Sequence, residues 1–148
     1  MTEIGFYHLT RTALEQALPQ LLARTLAAGQ RALVMCKTED GLKALDRALW
    51  QAADPEWLPH GTAADGDPDL QPVWLATDDE APNGARFVFL VEGAETARLD
   101  AFDRAFVLFN GNNQDEVLAA RHRWKAAKGS GHSLAYWQQG PKGWEKKG

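Results

Sequence analysis

Two short runs in this chain are apolar at every position: Leu33-Val34-Met35-Cys36 and Phe87-Val88-Phe89-Leu90-Val91. A strand with one face in water alternates apolar and polar side chains, so an unbroken run belongs to a strand covered on both faces. Strands of that kind form parallel sheets, whose crossover helices lie above and below. The rest of the sequence must therefore supply helices between strands.

It does so in order. Ile4–Leu9 reads as a first strand. Leu14, Leu18, Leu21, Leu22 and Leu26 recur at helical spacing, with Thr10 or Thr12 expected to cap the helix and Gly29 to end it in a left-handed turn. Pro19 lies inside this helix and implies a kink or a late start, because it removes a backbone donor. Arg31–Cys36 is a second strand. Thr38, Asp40 and Gly41 open a helix that carries Leu42, Leu45, Leu49 and Trp50 on one face, and Asp54-Pro55 closes it. Trp57–His60 reads as irregular, and Gly61–Pro72 as a loop rich in Gly, Pro and Asp. Val73–Ala76, Arg86–Val91 and Ala105–Phe109 are strands, with a short helix or loop from Ala94 to Phe102. Asn110-Gly111-Asn112-Asn113 can cap a long helix from about Gln114 to Lys128, which Gly129 and Gly131 stop. His132–Trp137 reads as a last strand.

This order predicts an α/β fold: three layers, a mostly parallel sheet and helices on both faces, Rossmann-like but without a nucleotide motif. One domain over residues 1–139 is expected, followed by a flexible basic tail over 140–148. The chain's 148 residues suffice for a core without disulfides or metals. The single Cys36 lies in an apolar run and reads as a small buried hydrophobe. No secretory signal and no apolar run near the length of a membrane span is present, so a soluble, cytoplasmic protein with no membrane partner is expected.

The motifs of nucleotide chemistry are missing. There is no G-x-x-x-x-G-K-[ST] and no G-x-G-x-x-G between strand and helix. Thr10-Arg11-Thr12 follows the first strand without a glycine, and the acidic pair Glu39-Asp40 follows the second. His8, His60, His122 and His132 show no metal-ligand spacing. The acidic runs Asp65/Asp67/Asp69 and Asp78/Asp79/Glu80 read as solvated loops, since the first lacks the Glu that completes a calcium loop. No cofactor is expected.

Charge is distributed unevenly. From Val117 to Gly148 there are seven Lys/Arg and one acidic residue, whereas residues 1–116 hold nine and nineteen. Within the basic end, Arg121, Trp124, Lys125 and Lys128 fall on one arc of a helix, and Arg123 falls off it. Such a face can be merely solvated, its lysines complementing the helix C-terminus. It also suits a short acidic peptide ending in an apolar residue: carboxylates meet the cations and the apolar end packs on the aromatic ring. Lys142, Lys146 and Lys147 lie beyond it, in the expected tail.

The chain resembles the chi subunit of bacterial DNA polymerase III holoenzyme. The resemblance rests on Phe6-Tyr7-His8-Leu9, the Arg31–Cys36 strand, Leu45-Asp46-x-x-Leu49-Trp50, Pro59-His60, Phe109-Asn110-Gly111, Arg121-x-x-Trp124-Lys125 and Ala135-Tyr136-Trp137, in order over residues 4–137. It implies a non-catalytic adaptor that binds the acidic C-terminal tail of single-stranded DNA-binding protein and the psi subunit of the clamp loader, and meets DNA mainly indirectly. It places tail binding on Arg121, Trp124 and Lys125, with Lys128 one turn on. Trp124 stands where some members have Tyr, and Lys128 where some have Arg, which removes a bidentate carboxylate contact. Two other readings come from the residues alone. One is a nucleotide-dependent enzyme using the strand-end crevice around His8 and Lys37. The other is direct binding of single-stranded nucleic acid, with Trp124, Trp137 and Trp144 stacking on bases.

Overall fold

The computed structural model describes residues 2–51, 60–62, 66–67, 71–78, 83–141 and 143–147. Its strands are β1 (Glu3–Leu9), β2 (Ala32–Met35), β3 (Val73–Ala76), β4 (Phe87–Val91), β5 (Arg104–Asn110), β6 (Ser133–Gly140) and β7 (Gly143–Lys146). Its helices are α1 (Leu14–Ala27), α2 (Glu39–Gln51) and α3 (Gln114–Lys128), with one 3-10 turn at Leu99–Ala101. The strands form a single sheet in the order β3-β2-β4-β5-β1-β6-β7. All neighbouring pairs are parallel except β6–β7. The fold is thus the three-layer α/β arrangement that the apolar runs require.

Each face of the sheet carries its own core. On one, α1 and α2 bring Leu18, Leu21, Leu22, Leu42, Leu45 and Leu49 against Val34, Phe89, Phe106 and Leu108. Phe89 and Phe106 stack there, 4.3 Å apart and 6° from parallel. On the other face, α3 lays Val117, Ala120, Trp124 and Ala127 over Phe6, Val107 and Phe109. Residues of β2 alternate between the two cores, with Val34 in one and Leu33 and Met35 in the other. That division explains why no polar residue interrupts the strand.

Local chemistry sets the helix ends. Thr38 Oγ1 accepts from the Gly41 amide at 3.0 Å, and Asn113 Oδ1 accepts from the Glu116 amide at 3.2 Å, capping α2 and α3. Gly29 has φ +77°, the left-handed conformation that suits glycine after a helix. Pro19 lies buried within an α1 that runs without a break from Leu14 to Ala27. At Gly111 a Cβ would stand 2.8 Å from the Leu9 carbonyl oxygen and collide with the His8 ring, so the turn from β5 into α3 excludes a side chain. Asp54-Pro55, Trp57–Pro59 and Lys142 lie outside the described residues.

Two expectations are corrected. Neither Thr10 nor Thr12 caps α1. Ala13 occupies the cap position, and its amide donates to Gln16 Oε1 at 3.2 Å. The threonines are engaged instead by Gln139. The expected loose tail after Gly140 is the second correction: Gly143–Lys146 pairs antiparallel with β6, from Trp137↔Lys146 to Gly140↔Gly143. Trp144 fixes it by meeting the Tyr7 ring edge-on at 5.1 Å.

Candidate functional site

Helix α3 packs over β5, β1 and β6, and a pocket of about 190 Å³ opens between helix and sheet. Phe109 comes from β5, Tyr136 from β6, and Val117, Ala120, Arg121, Trp124 and Lys125 from α3. Trp124 is half-buried; its ring meets Phe6 at 5.2 Å and Tyr136 at 5.8 Å, both edge-to-face. Arg121, Lys125 and Lys128 are exposed. The site is therefore an apolar cavity with a cationic rim. Of the four residues singled out by helical spacing, three line it, and Lys128 lies one turn further along the helix.

Helical spacing alone could not supply Phe109 and Tyr136, because they reach the pocket from strands distant in sequence. The sequence does carry one signal for Tyr136. Along β6, Tyr136 and Trp137 fall on opposite faces, and register places Tyr136 beside Phe6 and Trp137 beside Tyr7. The strand with Tyr toward α3 thus contributes an aromatic wall.

Arg123 lies off the arc, as its position predicts. It donates to the Gly93 carbonyl at 2.7 Å and lies 3.4 Å from Glu95. It borders a larger cavity of about 360 Å³ on the other side of α3, floored by Ile4, Phe6, Leu90 and Val107. Since Arg123 is already committed to Gly93 and Glu95, that cavity offers an anion less than the smaller one does.

The crevice at the ends of β1 and β5 has the wrong charge for a nucleotide; a separate one at the ends of β2 and β4 is lined by Lys37, Thr77 and Glu95. Where β1 and β5 end and their connections diverge, Glu15, Glu92 and Glu116 surround a space of about 180 Å³ with Leu9, Leu14 and Asn110. Burial, then Glu116 and Glu15, pushes the Glu92 carboxyl above its ordinary range. Three carboxylates repel the phosphates that bind at such switch points in other α/β proteins. His8 and Lys37 do not meet: β5 and β4 separate β1 from β2, a span of roughly 14 Å at ordinary strand spacing. Cys36 is 1 % exposed, and burial, followed by Glu92 and Glu39, pushes its thiol up to about 12. It is a core residue and stays protonated.

The histidines are dispersed. His60 is buried with Nε2 3.0 Å from Asp46 Oδ1, and His122 is exposed on α3. His132 Nδ1 accepts from the Thr2 amide at 3.0 Å. Among the described residues no group of three His, Cys, Asp or Glu side chains converges as metal ligands. Of the acidic runs, Asp65, Asp69, Asp79 and Glu80 lie outside the described residues. Among those described, no helix is long and apolar enough to cross a membrane. The three tryptophans of the stacking reading also divide: Trp124 packs on the α3 side of the sheet, Trp137 and Trp144 on the α1–α2 side. They form no common platform for bases.

Sheet order and helix placement define a three-layer α/β protein that carries an apolar pocket rimmed by Arg121 and Lys125 between α3 and the sheet. The family described as DNA polymerase III chi subunit, HolC, matches residues 1–135, and the chain belongs to it. The DNA polymerase III subunit chi of Escherichia coli (strain K12) is 26% identical over 123 residues, covering 83% of this chain and 84% of that protein. The probable DNA polymerase III subunit chi of Rickettsia prowazekii (strain Madrid E) is 19% identical over 99 residues, covering 67% of this chain and 60% of that relative. The chain thus spans less than two thirds of the Rickettsia protein's length. The family is that of a replication accessory subunit.

Proposed function

We propose that this protein is a non-catalytic adaptor of the replication machinery, joining the clamp-loader side of the polymerase to single-stranded DNA coated with its binding protein. The observation that carries this reading is the apolar pocket rimmed by Arg121 and Lys125. In it, the terminal apolar residue of the binding protein's acidic C-terminal tail packs among Phe109, Val117, Trp124 and Tyr136. The tail's carboxylates meet Arg121 and Lys125, and Lys128 adds longer-range attraction. DNA is contacted mainly through that partner, and the psi subunit is the partner on the clamp-loader side. The protein works in the cytoplasm and needs no cofactor.

Titration with a short acidic peptide ending in Pro-Phe tests the site. Binding should weaken with salt and with Arg121→Ala, the latter by about 1–3 kcal/mol for a lost charged contact. Binding indifferent to both overturns the assignment.

A further inference from the structure

The pocket wall hides a second pair of polar groups. The Tyr136 hydroxyl lies 2.8 Å from His8 Nδ1. The His8 ring stacks on Phe109 at 4.8 Å and meets Tyr136 edge-on at 6.0 Å. Both of these neighbours line the pocket, so His8 lies directly behind its wall. Register fixes the pair: Tyr136 sits beside Phe6, and His8 is two residues on, facing the same side. The Gly111 turn closes over the ring and brings no side chain of its own. The groups that face His8 are Arg121 from α3, Tyr136 from β6 and the apolar Phe109 from β5.

We propose that His8 and Tyr136 form a proton-operated hydrogen-bond donor within the peptide site, protonation of His8 releasing the Tyr136 hydroxyl to a bound carboxylate. This rests on the docking function above and adds its regulation. In the Nε2–H tautomer of neutral His8, Nδ1 accepts the phenol proton, and the hydroxyl has no second proton to give. When a solvent proton adds to Nδ1, that N–H donates to the phenol oxygen. The phenol O–H then turns outward, toward a carboxylate held at Arg121. One proton enters and no bond other than hydrogen bonds changes.

Electrostatics supports the coupling. Burial, then the Arg121 cation, holds His8 below its ordinary 6.5, so the free protein keeps it neutral near pH 7. Burial pushes the Tyr136 phenol up, so it retains its proton. A carboxylate on Arg121 offsets the cation and raises the His8 proton affinity. By reciprocity, proton uptake tightens peptide binding as pH falls through the His8 titration.

The test compares affinity for an acidic peptide ending in Pro-Phe at pH 7.5 and at a pH below the His8 titration midpoint measured by NMR, at fixed ionic strength. The wild-type protein should bind roughly three- to tenfold more tightly at the lower pH, the net worth of one ordinary hydrogen bond in water. Tyr136→Phe and His8→Gln should each remove most of that ratio. His122→Gln, which changes a histidine of α3 that does not line the pocket, should keep it. A wild-type ratio near one, a ratio unchanged in Tyr136→Phe, or one lost in His122→Gln overturns the proposal. Should a variant fail to fold, NMR titration of His8 in the wild-type protein decides: peptide must raise its pKa, and an unmoved value overturns the coupling. No binding at either pH would instead overturn the docking function.

Discussion

Gln139 Oε1 accepts a hydrogen bond from the Arg11 amide at 2.9 Å, and the Thr10 and Thr12 amides converge on the same oxygen at 3.0 and 3.1 Å. Gln139 Nε2 donates to Thr12 Oγ1 at 2.7 Å, and Thr10 Oγ1 donates to the Gln139 carbonyl at 3.0 Å. Three successive amides between β1 and α1 are where a nucleotide-binding relative of this fold would hold phosphate. Here a side-chain amide from β6 satisfies them, tying the first loop to the C-terminal strand. Gln139→Ala should cost about 1–2 kcal/mol, since water can replace part of this exposed network. Urea unfolding would show a lower midpoint at unchanged slope, and hydrogen exchange at Thr10–Thr12 should accelerate. Unchanged exchange there would remove the latch.

The rim cations should differ in weight. Arg121 and Lys125 line the pocket and Lys128 does not. If the site holds an acidic tail, Arg121→Ala and Lys125→Ala each weaken peptide binding by about 1–3 kcal/mol. Lys128→Ala, a solvent-separated charge, costs about 0–1 kcal/mol. Calorimetric titration of the three variants gives the order, and a Lys128 effect equal to that of Arg121 would move the ligand along the helix.

Glu92 gives a pH test with a definite sign. It occupies a left-handed position, φ +55°, beside Gly93 at +82°, in a turn closed by the Ala94 amide on the Val91 carbonyl at 3.0 Å. Burial and two neighbouring carboxylates raise its pKa above the ordinary 4.5. A carboxyl with a raised folded-state pKa holds its proton more tightly folded than unfolded. Its contribution is therefore best when protonated and declines as pH rises from 4.5 through the folded value. Glu92→Gln should raise the urea midpoint at pH 7 and lose that gain at pH 4. A gain of the same size at both values would trace the effect to the backbone and not to charge.

How far the sequence discloses this fold depends on where each element's information resides. β2 and β4 are legible because both their faces are buried, and α2 and α3 because Thr38 and Asn113 mark their starts. The parallel sheet follows from those elements. β7 is not legible, since Gly-Trp-Glu-Lys has no strand pattern of its own and owes its place to Trp144 on Tyr7. Capping by Thr10 or Thr12 is a sound local expectation that a distant residue, Gln139, overrides. At the site, Arg121, Trp124 and Lys125 follow from helical spacing, whereas Phe109 and Tyr136 require knowing that β5 and β6 flank β1. The His8–Tyr136 contact spans 128 positions of sequence, and only the register of β1 with β6 brings it together.

The C-terminal hairpin should prove a structural part of the domain. Trp144 is half-buried on the α1–α2 side, edge-on to Tyr7, while Trp137 lies parallel to the same ring at 6.3 Å. Together they cover the end of the sheet next to β1. Trp144→Ala removes an aromatic contact and uncovers Tyr7. The cost should be about 1–3 kcal/mol, less than for a fully buried aromatic residue. Because β7 follows β6, the loss should also loosen Tyr136 and the pocket it lines. Denaturant unfolding measures the first effect. Limited proteolysis measures the second, with cleavage after Lys146 or Lys147 accelerated in the variant. Stability within about 0.5 kcal/mol of wild type, the range of ordinary surface substitutions, would return residues 143–147 to the status of a tail.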